Sequence, residues 1–122
     1  MSVGGNTSCV EIRTAEDDVL ILDAGTGIRS LGYALAAEAA GAPMSVDVLF
    51  SHFHWDHLQG LPFFAPLYDG GSEVRFIAAV DDVRLDHLLQ GQMCSPYFPV
   101  PFTELAASVE THRAVVGETF DV

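Results

Sequence analysis

From Cys9 to Arg13 apolar and polar residues alternate, with Val10 and Ile12 on one side and Glu11 and Arg13 on the other. That period of two predicts a half-buried strand. It follows a turn-rich opening, Gly4-Gly5-Asn6-Thr7-Ser8, and the polar stretch Thr14 to Asp18 predicts a hairpin turn after it. Val19-Leu20-Ile21-Leu22 is a continuous apolar run ending at Asp23, the pattern of a strand buried on both faces. Asp23-Ala24-Gly25-Thr26-Gly27 reads as a tight loop, with Thr26 placed to cap a helix. The helix is predicted over Ile28–Ala40, its inner face formed by Ile28, Leu31, Leu35 and Ala39, and it stops at Gly41 and Pro43. Alternation of Val46, Val48 and Phe50 with Asp47 and Leu49 predicts the next strand, which completes a strand–helix–strand unit.

Further along the chain the signals weaken. Leu58 to Tyr68 predicts a short helix interrupted at Pro62 and Pro66. Asp69-Gly70-Gly71-Ser72 is a turn, and Val74–Val80 a strand. Asp81 or Asp82 caps a helix over Val83–Gln90, with Val83 and Leu88/Leu89 expected to face inward. Met93 to Phe102 is rich in aromatics and prolines, and fits a cleft wall or a subunit contact as well as a core-covering loop. Thr103–Ala107 predicts one helical turn, Val109–Val116 a strand, and Gly117–Val122 a turn entering another strand. The alternation of strands and helices predicts an α/β fold in one domain of 122 residues.

Composition narrows the function. The formal charge is −12, from seventeen acidic residues against five arginines and no lysine. Such a surface repels polyanions and disfavours nucleic-acid coating, although bound cations can reverse the local field for an anionic substrate. With no lysine there is neither a phosphate-loop lysine nor a Schiff base. No apolar run approaches the ~20 residues of a membrane-spanning helix, and Met1 to Asn6 lacks a secretory pattern, so a cytoplasmic protein without a membrane partner is expected. Cys9 and Cys94 are far apart and not in metal-site spacing.

Three of the five histidines fall in Ser51-His52-Phe53-His54-Trp55-Asp56-His57. At the end of a strand, His52 and His54 project to the same side and can share one cation. Asp56 and His57 come where the chain turns, within reach of a second cation, and two ions ~3.5–4 Å apart can clamp the attacking and leaving oxygens of a hydrolysis. Imidazole and carboxylate suit Zn²⁺, with Mn²⁺ or Fe²⁺ as substitutes. Asp23, at the end of the neighbouring strand, is placed to accept a hydrogen bond from a ligating imidazole. His87 and His112 read as ordinary surface histidines. Gly25-Thr26-Gly27 reads as a tight strand–helix turn, because GxGxxG spacing is absent.

The segment Ser51–His57 resembles the signature of the metallo-β-lactamase fold superfamily. The flanks, Gly4–Cys9, Leu22–Gly27 and His54–Tyr68, resemble its ribonuclease Z and cyclic-phosphodiesterase branch. The resemblance implies half of an αββα sandwich, a mixed β-sheet with flanking helices, with residues 1–122 corresponding to the N-terminal half and clipped at both ends. It implies a metal-dependent hydrolase of phosphodiesters or related esters, acting on a small-molecule or nucleotide-like substrate through a hydroxide held by two Zn²⁺ ions. His52 and His54 correspond to ligands of the first ion, and Asp56 and His57 to ligands of the second. Asp56 also holds the nucleophile, as the catalytic residue, and Asp23 supports the ligands. The other half of the family fold supplies the remaining ligands. The alternative is an inactive fragment that binds metal weakly, or a module that forms a homodimer through its exposed half-sandwich face.

Overall fold

The computed structural model describes residues 5–122; Gly4, at the start of the turn-rich opening, lies outside them. One mixed sheet carries the fold, with strands β1 (Val10–Arg13), β2 (Val19–Leu22), β3 (Ser45–Leu49), β4 (Glu73–Ala78) and β5 (Ser108–Arg113) in spatial order β1-β2-β3-β4-β5. β1 and β2 form an antiparallel hairpin, and every later pair is parallel. Two helices complete it, α1 (Gly27–Ala39) and α2 (Asp82–Gln92). The carboxyl ends of β2, β3 and β4 therefore lie along one edge, where functional sites of parallel sheets form.

The core sits on one face of that sheet. Ile21, Val46, Val48, Val74 and Phe76 pack with Ile28 and Leu35 of α1 and Leu85 and Leu89 of α2 in one cluster. The other face is polar at its centre, where Asp47, Arg75 and Glu110 stand in register across three strands. Arg75 donates two hydrogen bonds to the Asp47 carboxylate, at 3.0 and 2.7 Å. This is half of a metallo-β-lactamase-like sandwich: one mixed sheet with its helices on one side.

Several expectations change in detail. β1 forms, but Val10 and Ile12 are 54% and 42% exposed, not half-buried. They share a face with Leu22 and Leu20, and that face is not the one the helices cover. Thr26 stands at the N-cap position just before α1, but its side chain makes no capping bond; its hydroxyl is taken by Thr7, 19 residues away. Asp81 does cap α2, accepting from the Arg84 amide at 2.8 Å, whereas the side chain of Asp82 lies outside the described atoms. α2 buries Leu89 as expected, but its partner inside is Leu85, and Val83 is left 66% exposed. The predicted short helix after His57 is instead two separate 3₁₀ turns, Leu61–Phe63 and Ala65–Tyr68, and a third, Trp55–His57, precedes them. Pro62 and Pro66 break it by removing backbone donors. The expected turn at Thr103–Ala107 forms as a 3₁₀ turn at Phe102–Glu104. Met93 and Phe102, at the two ends of the aromatic–proline stretch, are buried in the core. Beyond β5 the chain makes a turn at Val115–Glu118 and no further strand through Val122; the Asp121 carbonyl accepts from Arg75 at 2.6 Å. Cys9 and Cys94 are free thiols, and among the described residues no helix is long and apolar enough to cross a membrane.

Candidate metal centre

The site begins with Asp23, the first residue after β2. Its amide donates to the Leu49 carbonyl at 2.8 Å, which extends the β2–β3 ladder by one bond. Its backbone then turns left-handed, at φ 64°. Aspartate tolerates that region better than most residues because its short side chain bonds locally. The turn leaves Asp23 only 8% exposed, yet its carboxylate is well satisfied. Oδ1 accepts from the Ser51 amide at 2.7 Å, and Oδ2 from the Ser51 hydroxyl at 2.6 Å and from His57 Nδ1 at 2.9 Å. Burial alone would raise the Asp23 pKa, but the hydrogen bonds from Ser51 and His57, with attraction to the His57 ring when it is protonated, hold it below the usual carboxylate value.

A single segment leaving β3 supplies the ligand candidates. Ligand atoms of His52, His54 and Asp56 all lie within 4.8 Å of one another. The His52 and His54 rings meet edge-on with centroids 4.6 Å apart, and the His52 and His57 rings are 4.1 Å apart. His57 Nε2 stands 3.3 Å from Asp56 Oδ2. Asp56 thus lies between the histidine pair and His57, and belongs to both neighbourhoods. His87 is exposed on α2; His112 lies on β5, its ring 5.6 Å from that of Phe120.

The donor set fits divalent metal ions. Imidazole nitrogens and a carboxylate converge at one strand end, as Zn²⁺, Mn²⁺ and Fe²⁺ sites require. In its neutral form, with Nδ1–H donated to Asp23, His57 presents an Nε2 lone pair to the Asp56 carboxylate. Two electron-rich atoms 3.3 Å apart repel, and a shared cation relieves them.

Two other segments grip the ligand loop from below. Ala24 donates to the His57 carbonyl at 2.8 Å, and Gly60 to the Ala24 carbonyl at 3.0 Å. Thr7 and Thr26 exchange reciprocal bonds, each amide donating to the other's hydroxyl at 2.8 Å. That pair holds residues 6–8 against the Gly25 turn and covers the start of α1, so Gly25-Thr26-Gly27 is a packing turn. A Cβ on Gly25 would come within 2.5 Å of the Asp56 carbonyl and of Thr7 Oγ1, so only glycine fits there. Ser51 is the residue that sequence reasoning passed over. Its position between a strand end and the first histidine was visible, but its contacts to both Asp23 and His52 were not.

No curated protein and no solved structure matches the chain. A family model described as the metallo-beta-lactamase superfamily matches residues 3–74, a stretch that runs from before Thr7 through Asp23, the histidine segment and the start of β4. On that match, and on the fold and ligand cluster within it, the chain belongs to the metallo-β-lactamase superfamily.

Proposed function

We propose that this domain serves a metal-dependent hydrolase of the ribonuclease Z and cyclic-phosphodiesterase-like branch, cleaving a phosphodiester or related ester. The observation that carries the reading is the convergence of His52, His54 and Asp56 within 4.8 Å at the end of β3. His52 and His54 would hold one ion and Asp56 and His57 a second, with Zn²⁺ the best match to the donors and Mn²⁺ or Fe²⁺ as substitutes. Bound divalent cations would supply Lewis-acid polarisation of the scissile group and acidify a water to reactivity near neutral pH. Asp56, exposed at the rim, would orient the attacking water and accept its proton at the free carboxylate oxygen. Asp23 would act beneath the ligands by fixing His57. Residues 1–122 are taken as one half of the sandwich. A catalytic zinc ordinarily has three protein ligands, and these four side chains shared by two ions fall short of that. A small-molecule or nucleotide-like ester substrate and a cytoplasmic setting complete the proposal.

The test is metal analysis of the purified chain beside hydrolysis of a generic phosphodiester. Close to two ions per chain, with turnover abolished by His54→Ala, is the expected result; substoichiometric metal without turnover would sink the reading for these residues. One observation favours a second reading, an interaction module. Val10 and Ile12 lie exposed beside Leu22 and Leu20 on the face without helices, an apolar strip suited to a second copy of the chain. Sedimentation equilibrium separates the two: a dimer that Ile12→Asp dissociates, without metal or turnover, favours the module.

A further inference from the structure

Ser51 links two histidines that have no direct contact with a common partner. Its hydroxyl carries one proton and two lone pairs. The Asp23 carboxylate, ionised at neutral pH, has only lone pairs to offer, so the 2.6 Å contact between Ser51 Oγ and Asp23 Oδ2 uses the Ser51 proton. Toward His52 the hydroxyl then presents only lone pairs. Its 2.9 Å contact with His52 Nδ1 therefore requires the proton to be on Nδ1. Asp23 Oδ2 makes the same demand directly of His57 Nδ1, also at 2.9 Å. In both rings the proton is drawn to Nδ1 and the lone pair is left on Nε2. An unconstrained imidazole in water prefers the opposite tautomer, with the proton on Nε2. The arrangement is therefore imposed by the network.

We infer that Ser51 is a positioning residue: it extends the hydrogen-bond demand of the buried Asp23 carboxylate to His52, so that one carboxylate presets the Nδ1–H tautomer of both His52 and His57. The backbone supports this role. The Ser51 amide is anchored to Asp23 Oδ1 at 2.7 Å, which holds its hydroxyl between the two partners. A ligating histidine is ordinarily oriented by the hydrogen bond at its other nitrogen. Here two rings on one segment share a single source. What the bare Nε2 atoms serve rests on the metal-hydrolase reading; the tautomers themselves do not.

The experiment is two-bond nitrogen–proton NMR on the metal-free chain, above the imidazole titration range, for the wild type, Ser51→Ala and Ser51→Thr, with methyl spectra as the control for folding. The wild type is expected to show Nδ1–H for both His52 and His57. In Ser51→Ala, His52 shifts toward the Nε2–H form while His57 keeps its tautomer; Ser51→Thr, which retains the hydroxyl, restores His52. Cobalt titration of the same proteins adds a second readout, an expected loss of about 10- to 100-fold in affinity for Ser51→Ala that Ser51→Thr recovers. An Nε2–H tautomer at His52 in the wild type overturns the inference whatever the variants do. So does a folded Ser51→Ala with unchanged His52, whereas an altered tautomer with unaltered cobalt affinity upholds the tautomer assignment and overturns its link to metal binding. If cobalt binds none of the three while the tautomers behave as stated, the tautomer assignment holds and the metal-hydrolase reading fails.

Discussion

At the scale of single residues, the site depends on groups that cannot be replaced by look-alikes. Asp23→Asn retains shape and tolerance of the left-handed backbone but loses the charge that three donors address. Hydrogen bonds to charged groups contribute more than neutral ones, so the variant should lose about 2 kcal/mol of stability at neutral pH. The Asp23 pKa lies below its ordinary 3.8 in the folded chain, so its contribution is full above that value and fades as pH falls through the folded one. Urea unfolding across pH should show the gap between wild type and Asp23→Asn wide at neutral pH and closing under acid. Cys9 behaves oppositely. Burial first, then the Asp23 and Glu11 carboxylates, push its thiol from 9.0 up to about 11. A thiol raised this way is stabilising only while protonated, so the contribution shrinks as pH climbs through 9.0 toward 11. Alkylation of Cys9 near neutral pH, followed by peptide mass spectrometry, should run roughly 100-fold slower in the folded than in the unfolded chain, because the thiolate is the nucleophile.

At the scale of elements, what the sequence made legible was whatever a local period could encode. The apolar run Val19–Leu22, the alternation at Val46–Phe50 and the alanine-rich α1 all form within a residue or two of their predicted bounds. So does the strand-end placement of His52 and His54. Long-range contacts were not legible. Thr26 looks like a cap, but Thr7 claims its hydroxyl. The phase of α2 was misjudged because its apolar residues point in two directions. Val83 lies about 200° round from Leu85 at about 100° per residue, whereas Leu85 and Leu89 stack one turn apart. Leu85→Ala should therefore cost about 2–5 kcal/mol, and Val83→Ala should stay within about 0.5 kcal/mol, as chemical unfolding would show. A costlier Val83→Ala would mean that Val83, and not Leu85, faces the sheet. Gly25→Ala tests the grip on the ligand loop. Its Cβ would meet backbone atoms of Asp56 and Ser8 at 2.5 and 2.6 Å, neither of which can swing aside as a side chain does. Overpacking of that kind costs about 1–3 kcal/mol, and cobalt affinity should fall with it because Asp56 is displaced. Gly41→Ala is the control: it is strained at φ 90° but meets nothing within 4 Å, so it should lose stability without losing metal.

At the scale of the whole molecule, the net charge of −12 and the ligand cluster make competing claims on any cation effect. Self-repulsion among seventeen acidic side chains destabilises the compact state, and simple salt relieves it by screening. Zinc could stabilise by the same nonspecific route, so a rise in Tm on adding metal does not by itself locate a site. The two routes differ in what they depend on. Screening scales with ionic strength and is blind to any single histidine, whereas a ligand that binds only the folded state stabilises by mass action, by about 2.7 kcal/mol at a hundred times its Kd. The wild type and His54→Ala should therefore gain equally from sodium chloride, while only the wild type should gain from zinc at low concentration in a background of high salt. A chelator should reverse that gain. His87→Ala, on an exposed helical residue outside the cluster, should leave the zinc response intact. Equal zinc responses from the wild type and His54→Ala would mean that the acidic surface binds the cation and the strand-end histidines do not. The distinction is sharp because His54 is exposed and its side chain makes no hydrogen bond among the described residues that its loss would break. Its removal changes the ligand set and leaves the fold's own contacts almost untouched.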